Sequence, residues 1–320
     1  MYYDNIRAKL YVSLRIVKKT TRKYLMSSYF ITTEATSDYP SFYKETDFAI
    51  IPMSYSVCGK DFDGDKNKLT PKEFYDACRN AKTKEDLPTT AMVTAYTAKE
   101  FFKPILEKGH DIIHVGFSSQ LSGTFDQLCA AAKELREEFP ERRITVIDSK
   151  AACFVEGLIA YYALRARDSG ASYEDCVKLV EDLSDKSAGF FTIEDINHLC
   201  RTGRVSKAEA FIGSTLHIKP ILHINPEGKL IPVTKAISKK RAMRGVIELA
   251  KENMLPASEQ KLVGIGHADA YEDALALEKM VKEELGVENT VIFDVGSVIG
   301  SHVGAGMLAV ILLCKDKNVR

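Results

Sequence analysis

The chain has 320 residues, of which 45% are hydrophobic, and its formal net charge at pH 7 is zero. This length suits one large α/β unit or two domains, and the hydrophobic content is ordinary for a globular chain with a substantial core. The balanced charge gives no general argument for a nucleic-acid partner, and we expect none.

The cysteine and histidine residues form no spacing that is typical of a metal site or a redox pair. Seven cysteines are scattered without a CxxC pair, and the seven histidines include no HExxH pattern. We therefore expect no metal and no cofactor, and we interpret the thiols as reduced groups in a cytoplasmic protein. No apolar run approaches the length of a transmembrane helix, so no transmembrane segment is expected.

The first 25 residues differ in charge from the remainder. They contain seven basic residues and one acidic residue, whereas the rest of the chain carries an acidic excess. A basic amphipathic helix is possible, because one helical face would carry Ile6, Leu10, Leu14 and Val17. The segment lacks the apolar core of a signal peptide. We interpret residues 1–25 as a basic extension outside the fold, with Met26 as the natural start.

Residues 27–170 alternate predicted strands and helices. The apolar run Ile112–Val115 predicts a buried strand, and apolar residues on one face predict a helix over Thr124–Glu138. Further strands are predicted at Tyr29–Thr32, Phe48–Met53 and Arg143–Ile147, and helices at Thr70–Asn80, Thr97–Gly109 and Ala152–Ser169. The alternation is typical of an α/β domain with a Rossmann-like parallel sheet and flanking helices.

The pattern of residues 171–320 predicts a second domain of the α+β type. We expect the boundary between the two domains near residues 170–188. Predicted strands are Gly189–Ile193, Ile218–Ile224, Leu230–Thr234, Leu262–His267, Val291–Val295 and Leu308–Cys314. Predicted helices cover 173–187, 207–216, 238–252 and 271–286. The hairpin signal at Pro226–Lys229 favours a mainly antiparallel sheet.

A hydroxyl-rich turn follows the strand at 112–115. Ser118, Ser119 and Ser122 precede the helix that begins at Thr124, and the turn contains no Lys or Arg. Free N–H groups at a helix start favour a small anion, here a carboxylate or a single phosphate. In the alternative interpretation, Ser122 simply caps the helix. We expect segments 33–37, 89–94 and 118–124 to converge beyond the carboxyl ends of the parallel strands.

Seven segments, in order and at matching spacing, resemble motifs of the DegV family of fatty-acid-binding proteins. They are TEATSDYP (33–40), TTAM (89–92), SSQLSGT (118–124), DSK (148–150) with EGL (156–158), RTGRVS (201–206), IGSTLHIKPIL (212–222) and GSHVGAG (300–306). Each motif alone is weak, but the ordered set is strong, and the resemblance covers nearly all of residues 27–313.

The resemblance implies two domains with one long-chain fatty acid in a buried tunnel between them. The hydroxyls that hold the carboxylate in the family match Thr90 and Ser119, with Ser118 in the same turn. His302 and Arg204 match residues near the head group. A buried carboxylate needs several donors, and burying the tail contributes about 0.8 kcal/mol per methylene. Without the resemblance, we would interpret His302 as a core histidine and Arg204 as a helix cap.

The resemblance also implies a partner, the catalytic subunit of a bacterial fatty acid kinase, to which the carboxylate is presented. The docking segment of the family matches Lys235, Ile237, Lys239, Lys240 and Arg241. Ile237 stands where the family has an arginine, so we expect weaker docking to a standard kinase. Other departures from the family pattern are Glu34, Ala35, Ala91 and Gln120. Because these four positions lie in the motifs around the expected head-group site, we expect the ligand preference to differ from that of the family.

Two functions from different classes follow. The first is a non-enzymatic carrier that binds a fatty acid. The second is a stand-alone serine hydrolase that acts on an acyl ester through Ser119 or Ser149. The chain contains neither a GxSxG elbow nor a phosphate-binding P-loop, and Ser149 and Lys150 are neighbours on a predicted strand end, where they point apart. The carrier interpretation is therefore favoured.

Overall fold

The structure is a computed structural model that describes residues 29–40, 48–206 and 218–319. The predicted N-terminal extension and the predicted helix at 207–216 lie outside the described residues. Within those three ranges, every helix is too short or too polar to cross a membrane.

The described elements are numbered in chain order. The strands are β1 (Tyr29–Glu34), β2 (Phe48–Ile51), β3 (Tyr55–Val57), β4 (Lys60–Phe62), β5 (Thr89–Thr90), β6 (Asp111–Gly116), β7 (Ile144–Asp148), β8 (Ser187–Thr192), β9 (Lys219–Ile224), β10 (Leu230–Ala236), β11 (Val263–His267), β12 (Thr290–Asp294) and β13 (Leu308–Leu313). The helices are α1 (Pro71–Asn80), α2 (Ala95–Glu107), α3 (Thr124–Glu138), α4 (Phe154–Asp168), α5 (Tyr173–Lys186), α6 (Asn197–Arg201), α7 (Lys239–Asn253), α8 (Tyr271–Leu285) and α9 (Ser297–Val303).

The first sheet is parallel and has the strand order β2-β1-β6-β7. All six residues of β6 are buried, including Asp111 and His114, which explains why its apolar residues do not alternate with exposed polar ones. The prediction of an N-terminal α/β unit with a parallel sheet is confirmed.

Local signals fix the helix starts. Thr70 caps α1 and forms a reciprocal capping box with Glu73, which agrees with the predicted helix start at Thr70. Helix α2 begins at Ala95, two residues before its predicted start, because the side chain of Thr94 caps it by accepting the N–H of Thr97.

The second sheet has the order β10-β9-β8-β13-β11-β12 and is antiparallel except between β11 and β12. The predicted mainly antiparallel C-terminal sheet is confirmed. Helices α7 and α8 pack on one face of this sheet, in a core cluster that includes Phe190, Ile221 and Val310.

Helix α4 lies between the two sheets. It contacts β1 and β6 of the first sheet and β8, β11 and β13 of the second. Its apolar residues therefore share one core with both sheets, including Ile31 and Ile311. Gly157 permits this packing, since a Cβ there would lie 2.6 Å from the carbonyl oxygen of Ser37. Helix α5, which follows the predicted domain boundary, packs on β6 and β7; the boundary itself stays a prediction.

A third, small antiparallel sheet has the order β4-β3-β5. Its edge strand β5 is only Thr89–Thr90, a segment where the sequence predicts no strand. Pairing of Thr90 with Tyr55 fixes the position of this threonine beside α9. Such a short strand has no periodicity of its own, so only its tertiary partner reveals it.

Candidate functional site

A cavity of about 110 Å³ lies where the turns of the first sheet meet the inner face of the second. Its wall is mainly apolar, with Val155 from α4, Phe191, Ile224, Leu230 and Ile311 from the second sheet, and Ile299 from α9. Met53, Met92 and Met307 add flexible side chains that adapt to the shape of an apolar ligand. This lining suits a ligand with an apolar body.

Three of the predicted site residues meet in this cavity: Thr90, Arg204 and His302. The Thr90 hydroxyl oxygen lies 3.0 Å from Nε2 of His302. The Arg204 guanidinium donates from Nε to the carbonyl oxygen of Leu121 at 3.2 Å, and Nη1 donates to the carbonyl of Thr202. The cavity therefore carries a hydroxyl, an imidazole and a cation in an otherwise apolar wall.

The backbone around these residues explains their position. Helix α9 carries His302 and packs closely on α1, because Gly300 leaves no side chain where a Cβ would lie 2.6 Å from the Tyr75 hydroxyl. The N–H of Gly296, just before α9, donates to Asp38 at 2.9 Å and ties this helix to the turn that follows β1. Arg204 follows Gly203, whose positive φ ends α6, and its N–H donates to Leu199 at 3.0 Å.

Burial controls the charges in the cavity. Burial lowers the pKa of His302 to about 4, and the guanidinium groups of Arg204 and Arg201 act in the same direction. Burial also lowers the pKa of Arg204. Nδ1 of His302 is buried and has no hydrogen-bond partner among the described residues. Because an unpaired buried polar atom costs about 1–3 kcal/mol, a ligand that forms a hydrogen bond with Nδ1 would be stabilised at this point.

Ser118 and Ser119 do not line the cavity. The Ser118 hydroxyl is fully buried and donates to the carbonyl oxygen of Gly228 at 2.8 Å. The half-buried Ser119 donates its N–H to Asp148 at 3.3 Å. The structure thus places neither predicted serine beside Thr90, Arg204 and His302. The later residues of the turn, Leu121 and Ser122, face the cavity instead.

Ser122 lines the cavity instead. From the sequence, its hydroxyl belongs to the predicted donors of the turn, with a helix cap as the alternative, but Ser122 is not among the predicted site residues. Gly123 occupies the N-cap position of α3, but the Ser122 hydroxyl accepts the N–H of Thr124 at 3.2 Å. The cap interpretation is therefore correct in part. The signal for a second role was its place in the same hydroxyl-rich turn.

A buried polar network, missed by the sequence reasoning, supports the turn from behind. Glu34 accepts the N–H of Phe117 at 2.9 Å, and Glu156 accepts hydrogen bonds from Thr33 and Thr36. Burial and the negative charge of Glu34 raise the pKa of Glu156 well above its ordinary value. Phe117 and Thr36 both line the cavity, so the network fixes two parts of its wall.

Ser149, one of the two serines predicted for hydrolysis, has no catalytic base beside it in the described ranges. Ser149 is fully buried, and its hydroxyl has no hydrogen-bond partner there. Lys150 pairs with Asp185. A nucleophilic serine requires a base within hydrogen-bond reach, and no described base contacts this hydroxyl. Nor do the described histidines, cysteines and acids include a group that could hold a metal ion.

The predicted docking residues lie at the surface near β10 and the start of α7. Ile237 is 62% exposed, and it shares a shallow groove with Lys235 and Arg241. Lys240 is exposed. Lys239, by contrast, pairs with Asp273 and Glu194, so its charge is largely neutralised within the protein.

The fold and the cavity define a class of protein: an α/β protein with two main sheets and a mainly apolar cavity whose wall carries a hydroxyl, an imidazole and a cation. A sequence model of a protein family, described as "Uncharacterised protein, DegV family", matches residues 28–315. The chain therefore belongs to the DegV family. The resemblance found from the seven motifs is confirmed.

Individual relatives agree with this assignment. A DegV domain-containing protein of Clostridium perfringens is 34% identical over 295 residues, which cover 92% of this chain and 100% of the relative. A crystal structure of DegV from Bacillus subtilis, a fatty-acid-binding protein, is 28% identical with a TM-score of 0.75, and the match covers 89% of this chain and 99% of that one. A fatty-acid-binding DegV family protein from Thermus thermophilus is 26% identical with a TM-score of 0.77 and the same coverage.

Proposed function

We propose that the protein binds a fatty acid, with its tail along the apolar wall and its carboxylate beside Thr90, Arg204 and His302. The proposal rests mainly on the guanidinium of Arg204, which lines the same cavity as the hydrogen-bonded pair Thr90 and His302. The rest of the cavity wall is mainly apolar. Arg204 donates to backbone carbonyls and has no carboxylate partner within the described part of the chain. The fatty-acid-binding relatives from Bacillus subtilis and Thermus thermophilus support the ligand class.

The Ser122 hydroxyl is a fourth donor in this proposal. It lies 3.0 Å from the Thr124 hydroxyl, and either oxygen can donate to the other. When Thr124 donates, the Ser122 hydrogen is free to point into the cavity. A carboxylate would then accept hydrogen bonds from the hydroxyls of Thr90 and Ser122, from the imidazolium form of His302 and from the Arg204 guanidinium, which offsets the cost of its burial.

We further propose that the protein is a carrier, not an enzyme, and that it presents the bound acid to a fatty acid kinase subunit. The groove of Lys235, Ile237 and Arg241 is the candidate docking surface, as the family resemblance implies. A carrier needs donors and a cavity but no general base, which agrees with the isolated Ser149 hydroxyl. A cytoplasmic location agrees with the seven free cysteines.

The test is mass spectrometry of the ligand extracted from purified full-length protein, followed by binding of the same acid and of the fatty alcohol of equal length. The proposal expects a co-purified fatty acid and tighter binding of the acid than of the alcohol. Equal affinity for acid and alcohol would show that no charged head-group site exists. Turnover of an acyl ester that is lost in Ser119→Ala or Ser149→Ala would instead identify a hydrolase.

A further inference from the structure

A second, polar pocket of about 630 Å³ lies behind β9, away from the fatty-acid cavity. It is lined by His223, Asn225, Pro226 and Ile231 from β9 to β10, and by Asp316–Val319 from the C-terminal tail. Ile224 faces the fatty-acid cavity, so its neighbour His223 points to the other face of the sheet. The family match ends at residue 315, and the tail residues that line this pocket lie beyond it.

His223 is a fully buried histidine whose polar atoms are unsatisfied. Its ring stacks on Phe190 with the centroids 5.7 Å apart. Neither ring nitrogen forms a hydrogen bond of normal geometry with the residues that the structure describes, although the backbone of Lys317 lies close enough to act on the pKa of the ring, against the larger effect of burial. A neutral imidazole has one donor and one acceptor, and leaving both unpaired in a buried position is costly. Because this ring lines a polar pocket, a bound ligand or water would supply the missing partners.

Lys317 brings a buried cation to the same pocket. The residue is only 2% exposed, and its ammonium donates to the carbonyl oxygens of Ser149 and Lys150 at 3.3 and 3.0 Å. These bonds occupy two of its three hydrogens, and no acidic side chain in the described ranges pairs with it. The nearby Asp185 already pairs with Lys150, Asp148 accepts the N–H groups of Ser119 and Lys150, and Asp316 accepts the N–H of Asn318. A buried cation without a counter-ion is unfavourable.

Asn225 offers a further donor. Its side-chain oxygen accepts the N–H groups of Glu227 and Lys229 and so fixes the β9–β10 turn. Only the amide NH₂ then remains for a ligand. The pocket therefore combines a cation, an imidazole and an amide donor, and its volume exceeds that of a single phosphate or carboxylate group.

We propose that this pocket binds the anionic group of a small polar molecule, a carboxylate or a phosphate monoester, through Lys317, His223 and Asn225. The ammonium supplies the charge, and the imidazole and the amide donate hydrogen bonds that orient the group. The site is separate from the fatty-acid cavity, so it does not depend on the function proposed above.

The test follows the histidine ring resonances of the full-length protein by NMR, with the His223 signals assigned by their loss in His223→Gln. Inorganic phosphate, acetate and glycerol phosphate are added separately at constant ionic strength. We expect at least one probe to shift the His223 signals saturably. Lys317→Met should weaken that binding by at least about tenfold, whereas Lys315→Met, at an exposed neighbouring lysine, should leave it unchanged.

The three probes also distinguish the sources of the anion, since acetate reports a carboxylate, inorganic phosphate a free ion and glycerol phosphate a monoester. Absence of saturation with all three in the unmodified protein overturns the proposal, even if Lys317→Met does not fold. Equal affinity of a folded Lys317→Met variant and the unmodified protein overturns it as well.

Discussion

The Thr90 hydroxyl and Nε2 of His302 lie 3.0 Å apart, although 212 positions separate them in the chain. One residue belongs to the edge of the small β3–β5 sheet, and the other to the short helix before the last strand. Their contact brings the two halves of the chain together at the cavity. A ligand that contacts both residues requires both halves to be folded. Because it binds only the folded state, it would raise the free energy of unfolding.

The first prediction concerns Thr90. Thr90→Val keeps the shape of the side chain but removes the hydroxyl. We expect affinity for a fatty acid to fall about ten- to a hundredfold, because a hydrogen bond to a charged group contributes roughly 1.5–3 kcal/mol. Calorimetric titration measures this loss. Thr89→Val, at the exposed neighbour on β5, is the matched control and should bind as the unmodified protein does.

The fatty alcohol provides the second arm of that experiment. It should bind less tightly than the acid and should lose less affinity in Thr90→Val, since it carries no charge. If Thr90→Val and Thr89→Val both bind the acid normally, the carboxylate is held elsewhere, and Arg204 becomes the next residue to replace.

Much of the fold could be predicted because its signals are local. The apolar run of β6 and the capping box of α1 specify their elements without tertiary information. Strand β5 could not be predicted in this way, because two residues carry no periodicity and the strand exists only through its pairing with Tyr55.

The candidate site shows the same division. The family motifs pointed to Thr90, Arg204 and His302, and the structure brings these together. The choice between Ser119 and Ser122 depended on which way each residue of one turn points, and that direction is set by tertiary contacts. The hydroxyl of Ser118 is held by Gly228, which is 110 positions away, so no local pattern could reveal it.

The second prediction separates the serines of the turn. We expect Ser122→Ala to weaken fatty-acid binding, and Ser119→Ala to leave it within about twofold, because only Ser122 lines the cavity. Both affinities are measured with the same acid, and thermal unfolding checks that both variants are folded. A tenfold or greater loss in Ser119→Ala alone would restore the direct carboxylate contact that the sequence predicts for Ser119.

The third prediction uses the lowered pKa of His302. Its pKa is about 4 in the folded protein against an ordinary value near 6.5, so the unfolded state binds more protons between these values. The stability of the empty protein should therefore fall as the pH decreases from about 6.5 to 4. His302→Gln should show a shallower fall, whereas His110→Gln, at a histidine outside the cavity that contacts Phe30, should follow the unmodified protein.

His223 contributes to the same trend, since burial lowers its pKa to about 4 as well. For this reason the comparison is made between variants in urea unfolding at each pH, not from the unmodified curve alone. A bound fatty-acid carboxylate should favour the charged imidazolium of His302 and reduce the loss of stability in acid. An identical pH dependence in His302→Gln and the unmodified protein would rule out the buried neutral imidazole.

The fourth prediction concerns docking of the kinase subunit. Ile237 is 62% exposed in the groove that Lys235 and Arg241 share, and Lys239 is already paired within the protein. We expect the unmodified protein to support a standard fatty acid kinase weakly, and Ile237→Arg to improve this support mainly through faster association at low salt. Tyr96→Arg adds the same charge at a site on α2 that is 74% exposed, and it serves as the control. Full support by the unmodified protein, with no gain from Ile237→Arg, would show that the kinase docks on another surface.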